Sequence, residues 1–167
     1  LQIALAEMDF AEGNFADGKQ LLEKLISTGK PAENVKTARI ALAQMHLRKR
    51  DFGPAETLSN EILREDSHNV PALKLRASVR IERSQIDEAV ADLLDALNRQ
   101  PRSIDLMSLL ATAYERSGLI ELAEKQFADA MKASDFDPNL GLEYVAFLQR
   151  RGSGSRAEDV LSELNNR

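Results

Sequence analysis

Imidazole is the scarcest chemistry in this chain: His46 and His68 are its two histidines, and cysteine is absent from all 167 residues. Without cysteine there is no thiolate nucleophile, no disulfide and no thiolate metal site. A zinc-protease helix needs two histidines four residues apart with a glutamate between them, and a phosphate cradle needs a Gly-rich loop closed by Lys-Ser/Thr. Neither occurs. Gly152-Ser153-Gly154-Ser155 has the outline of a nucleophile elbow, but no apolar strand leads into it, so it reads as a turn. Carboxylates are plentiful, yet most alternate with Lys or Arg at helical spacing, the pattern of a solvated face. His46 reads as a core-edge residue and His68 as a loop residue. The expectation is no catalytic residue, no metal and no cofactor.

The elements carrying these residues are helical. The chain is 43% hydrophobic and 29% charged, with aromatics at 5% and no Trp, and Ala and Leu dominate. That bias suits close helix packing and argues against a strand-rich fold. A net charge of -5 weighs against nonspecific nucleic-acid binding, which rests on phosphate neutralisation. No apolar run approaches the roughly 20 residues of a membrane span. The lack of cysteine leaves the compartment open, cytoplasmic or, with a signal peptide on a longer parent, periplasmic. Leu1-Gln2-Ile3-Ala4-Leu5 begins in mid-pattern, which reads as a fragment of a longer array.

Self-similarity organises the rest. A step of 34 residues carries Gly118 to Gly152 and Ala123 to Ala157; backward it carries Ala123 to Ala89 and Ala55, and Ala111 to Ala77 and Ala43. The first repeat is longer by three, and Ala6, Gly13 and Gly18 fill its columns. The surplus falls in residues 29–34, read as a turn where added residues cost little. Each hairpin thus has one small residue per helix, Ala6, Ala43, Ala77, Ala111 and Val145 on the first, and Gly18, Ala55, Ala89, Ala123 and Ala157 on the second. Small residues at a crossing permit close helix approach. An apolar plug follows each turn, at Phe15, Phe52, Ile86 and Ile120. Gly13, Gly118 and Gly152 are expected to close first helices, and Asp51, Ser84 or Asp87 to cap second ones. Pro31, Pro71, Pro101 and Pro138 fall near the repeat junctions.

Within residues 104–137, Met107, Leu110, Ala111 and Tyr114, followed by Gly118, Ala123, Phe127 and Ala130, resemble the tetratricopeptide repeat pattern, with Met107 in the usual Trp place. The resemblance covers nearly the whole chain as five units, 1–35, 36–69, 70–103, 104–137 and 138–167. It implies an all-α fold, a right-handed α-solenoid of about ten helices, forming a single domain over 1–167. Departures are Arg76 and Arg80 where Leu and Tyr are usual, His46 and Asp9 in place of Tyr, and Gly154 in place of the last plug. Leu161 and Leu164 have no obvious neighbour to cover them.

Charge alternates with the repeat. Residues 36–50 carry a net +5 and 70–84 a net +3, whereas 51–69 carry -4, 85–103 carry -2 and 119–137 carry -3. First helices of the middle units are therefore basic, and second helices acidic. The resemblance implies that first helices line a concave groove. By that analogy the groove residues are Gln44 and Arg48, then Lys74 and Ser78, then Ser108, Thr112 and Arg116, and finally Gln149 and Arg150. Thr37, Glu82, Asp105, Asn139 and Glu143 are groove-facing positions by the same analogy. The expected function is a protein-interaction scaffold or adaptor binding a peptide or protein segment, one with acidic residues or a chain terminus. The chaperone-tail carboxylate clamp of the family is not matched, because Ser78 stands where Asn should follow Lys74. The alternative is a structural spacer or self-associating segment of a longer bacterial array, of the kind found in envelope or exopolysaccharide-export systems. An RNA reader would need a strongly basic groove, which the acidic total opposes.

Overall fold

The structure is a computed structural model that describes residues 1–29 and 32–166. The expected junction proline Pro31, with Lys30 and Arg167, lies outside the described residues. Ten α-helices and no strand are present among the described residues: α1 (Gln2–Ala11), α2 (Phe15–Thr28), α3 (Ala32–Arg48), α4 (Phe52–Glu65), α5 (Val70–Glu82), α6 (Ile86–Arg99), α7 (Ile104–Arg116), α8 (Ile120–Ala133), α9 (Pro138–Arg150) and α10 (Gly154–Asn165). The all-α reading holds. The helices group into two compact units, Leu1–Ala96 and Leu97–Arg167, each treated by itself below.

One turn geometry joins each first helix to its second. Gly13, Arg50, Ser84, Gly118 and Gly152 all have left-handed backbones, with φ between 60° and 92°. In each case the amide of the next residue reaches back five residues, as from Asn14 to the Asp9 carbonyl and from Gln85 to the Arg80 carbonyl. This is a Schellman closure, which satisfies carbonyls that the helix end leaves free. The expected plugs Phe15, Phe52, Ile86 and Ile120 open the second helices.

Three local expectations are corrected. Asp51 occupies the N-cap position of α4, but its side chain makes no cap bond there. Its carboxylate instead meets His46 Nδ1 at 2.9 Å, a better use for an anion beside a buried imidazole. Ser84 takes the left-handed turn position rather than a cap, and Asp87 lies in the first turn of α6, where it complements the helix dipole. Residues 32–34 of the surplus extend α3 to 17 residues, against 13 for α5, α7 and α9. Ala32 and Glu33 are good helix formers, and Glu33 binds Lys36 across one turn, so the insertion is absorbed as helix. Pro71 and Pro138 fall in the first turns of α5 and α9, where a missing amide costs nothing.

The small-residue columns are the core of each hairpin. Ala6, Ala43, Ala77, Ala111, Ala55, Ala89 and Ala123 are all fully buried, and Val145 and Ala157 nearly so. At α1–α2 the approach is closest: a Cβ added to Gly18 would lie 2.6 Å from the Ala6 carbonyl oxygen. In the first unit Leu22, Ala38, Leu42 and Met45 complete one apolar cluster. In the second, Tyr144 stacks on Phe127 with ring centroids 5.5 Å apart, and Phe147 tilts against Phe127 and stacks on Tyr144. Leu161 and Leu164 are half-buried, and the Leu164 side chain lies over Gly141, so α9 covers Leu164.

Ser84 holds a left-handed backbone without the freedom of glycine, at a cost of about 1 kcal/mol. Ser84→Gly is therefore expected to raise the unfolding free energy by an amount of that order, seen as a higher urea midpoint, and Gly118→Ser to lower it. Equal midpoints for Ser84→Gly and the parent would show that the turn is not strained.

Candidate binding surface

Most of the basic charge on first helices is consumed within the fold. Arg39 reaches Glu65 at 2.7 Å, Arg50 reaches Glu82 at 3.0 Å, and Arg83 pairs with Glu56. Arg76 and Arg80 converge on Asp92. Arg76 donates through Nε and Nη2 to the two Asp92 oxygens at 2.9 and 2.7 Å and through Nη1 to Asn60 at 2.9 Å; Arg80 Nη1 donates at 2.6 Å. Asp92 is only 5% exposed, so these donors replace the water that burial takes from its carboxylate oxygens. The network explains how Arg76 and Arg80 replace Leu and Tyr. Its signal was readable: Asp92 breaks the buried stripe Ala89, Leu93, Ala96 on α6.

The expected site residues fall into two parts. In the first unit Gln44 and Arg48 are exposed on α3 and line a pocket of about 250 Å³ together with Glu7, Phe10, Ala41 and Met45. The Arg48 guanidinium lies 5.8 Å from the Phe10 ring centroid, a cation–π distance. Lys74 and Ser78 are half-buried one turn apart on α5, with the Ser78 hydroxyl donating to the Lys74 carbonyl at 2.9 Å.

In the second unit Ser108 and Thr112 are half-buried on α7, and Arg116, Gln149 and Arg150 are exposed. The Thr112 hydroxyl donates to the Ser108 carbonyl at 3.1 Å, and the Ser108 hydroxyl donates to Glu143 of α9 at 2.7 Å. Arg150 is not a spare cation, because its Nε and Nη2 clasp the Glu115 carboxylate at 3.1 and 2.9 Å. Arg151 joins at 3.2 Å. The Arg150 hydrogen bonds, with the charges of both arginines, hold the Glu115 carboxyl below its usual range against the opposing effect of burial. The Glu115 hydrogen bonds in turn hold the Arg150 guanidinium above its usual value.

Groups capable of proton chemistry have structural partners. His46 is buried against Asp51, and the Phe15 ring meets its own edge-on at 5.6 Å. His68 Nδ1 lies 3.0 Å from Asp95. The Tyr144 hydroxyl donates to Glu124 at 3.2 Å; burial first, then the Glu124 charge, pushes its pKa up to about 12 and keeps the phenol neutral. Among the described residues no cluster of three His, Asp or Glu is placed to hold a metal ion, and no helix is long and apolar enough to cross a membrane. Of Gly152-Ser153-Gly154-Ser155, read as a turn, Gly152 and Ser153 lie between α9 and α10 while Gly154 and Ser155 open α10, and a helix rather than a strand precedes them.

A family model described as the bacterial transcriptional activator domain matches residues 9–152. No curated protein matches the sequence. Among solved structures, a thermophilic tetratricopeptide repeat protein of Thermus thermophilus aligns with a TM-score of 0.80 at 17% identity, over 98% of this chain and 88% of that one. Pseudomonas aeruginosa PilF aligns with a TM-score of 0.78 at 19% identity, over 97% of this chain and 74% of that one. These likenesses show the fold, a tetratricopeptide-type helical solenoid, and agree with the resemblance carried by the repeat residues.

Removing the Asp92 charge strands two arginines against a buried amide. Asp92→Asn is expected to cost about 3 kcal/mol in urea unfolding. The triple change Arg76→Leu, Arg80→Tyr and Asp92→Leu should recover most of that loss, because apolar side chains need no partner. An unchanged midpoint for Asp92→Asn would show that the network contributes nothing.

Proposed function

This chain belongs to the bacterial transcriptional activator domain family, a tetratricopeptide-type fold, and from that we propose that it is a non-catalytic module that binds a protein partner on the exposed face of its first helices. The family's description ties such domains to bacterial transcriptional activators; in that setting the module joins an activator to another protein. The binding partner is an extended or helical protein segment, and neither nucleic acid nor a membrane is its target.

One observation carries the reading. Gln44 and Arg48, placed in the groove by repeat position alone, line a recess with apolar walls at Phe10, Ala41 and Met45. An apolar recess beside a few polar groups is the usual form of a recognition pocket. Repeat arrays present such surfaces because each unit contacts only its neighbours and leaves one face of its first helix open. A self-associating role is the second reading, and the exposure of Leu5 and Met8 on α1, 45% and 52%, supports it.

The test starts from random peptides displayed on phage and selected on the immobilised chain, with sedimentation run in parallel. The expected result is a set of peptides that bind the parent and lose about tenfold or more in affinity to the Arg48→Glu, Lys74→Glu double variant, a change of about 1.4 kcal/mol. Undiminished binding by the variant would overturn the groove. Concentration-dependent dimerisation that ignores both substitutions, with no peptides selected, would favour self-association instead.

A further inference from the structure

Two cations on the first unit differ from their neighbours. Arg39, Arg50, Arg76, Arg80 and Arg83 each have a carboxylate partner. Arg48 and Lys49 have none among the described residues, although both are exposed. Each lies over an aromatic ring instead, Arg48 over Phe10 and Lys49 over Phe15, both at 5.8 Å from the centroid. The ring contacts restrict two long side chains without neutralising them. Less rotamer entropy then remains to be lost when an anion arrives.

We infer that Arg48, Lys49 and the adjoining pocket bind an acidic peptide segment that seats one apolar side chain between α1 and α3. This rests on the protein-binding reading above and names the ligand chemistry for one part of that surface. Phe10, Ala41 and Met45 supply the apolar walls. Gln44, exposed on the rim, offers both an amide donor and an amide acceptor to a peptide backbone. Arg48 offers a planar fork that suits a carboxylate, and Lys49 a second positive charge on the next residue.

The pocket is also polar in a directional sense. Glu7 on α1 lines it as well, one turn before Phe10, and the exposed Glu7 carboxylate has no partner among the described residues. An acidic side chain is therefore repelled from the Glu7 rim and attracted to the Arg48 rim. A segment with its carboxylates on one side of the apolar residue is thereby oriented. The position of the cations at the C-terminal end of α3, where they complement the helix dipole, accounts for their being tolerated. It leaves both head groups open to a ligand.

The experiment uses a synthetic peptide array on the intact chain. One set carries a single Leu, Met or Phe flanked by Asp and Glu, and the matched set carries Asn and Gln in their place. A labelled DNA duplex is tested alongside. The expected result is retention of acidic over amide peptides by about tenfold, and loss of that preference in the Arg48→Gln, Lys49→Gln variant but not in Arg102→Gln. Equal retention of the two sets, or a preference that survives the double variant, overturns the inference. So does DNA binding with the same residue dependence, since the surface would then be a general anion site. Peptides that bind regardless of flanking charge, and that are lost on Lys74→Glu alone, would leave the protein-binding reading standing while removing this one.

Discussion

The contact on which the hairpins depend is backbone against backbone at the small-residue crossing. Between α1 and α2 it has no slack, because a methyl group on Gly18 would press to 2.6 Å from the Ala6 carbonyl. Elsewhere alanine, or Val145 on α9, fills the same columns and is buried. Close approach has two consequences. It lets apolar residues on either side, Leu22 and Met45 in the first unit and Phe127 and Phe147 in the second, meet with few voids. It also brings the polar flanks of paired helices within hydrogen-bond reach.

The charge pattern follows from that second consequence. Basic first helices and acidic second helices look from sequence like two faces aimed at different partners. In the structure they are largely aimed at each other, through Arg39 and Glu65, Arg83 and Glu56, and the Asp92 network. Within the second unit the pairing runs instead between two first helices, where Glu115 of α7 takes up Arg150 and Arg151 at the end of α9. Net charge on a helix is thus a poor guide to its ligand. The informative residues are among those left over, and in the first unit they include Arg48 and Glu7, which line the pocket, and Lys49 beside Arg48.

Legibility in the sequence divides along the same line. The helical class, the small columns, the plugs at Phe15, Phe52, Ile86 and Ile120, and the glycine turns were readable because each is a one-residue requirement repeated at a fixed interval. The left-handed turns at Arg50 and Ser84 were not, since no residue preference marks them. Neither was the fate of the three-residue insertion, which depends on whether helix or loop continues into residues 32–34. Asp92 could have been found, as an acid in an apolar stripe opposite two misplaced arginines. Of the expected groove, Gln44 and Arg48 lie together at a pocket, whereas Arg150 is held by Glu115, a pairing across 35 residues that local pattern cannot reveal.

The most direct measurement is the unfolding free energy of Gly18→Ala beside that of Gly53→Ala. By helix propensity alone both changes should stabilise, by up to about 1 kcal/mol. Gly53 has nothing within 4 Å of an added Cβ and should do so. Gly18→Ala should instead lose about 1–3 kcal/mol, the cost of overpacking a closed contact. A Gly18→Ala chain as stable as the parent would contradict the crossing on which this account of the fold rests.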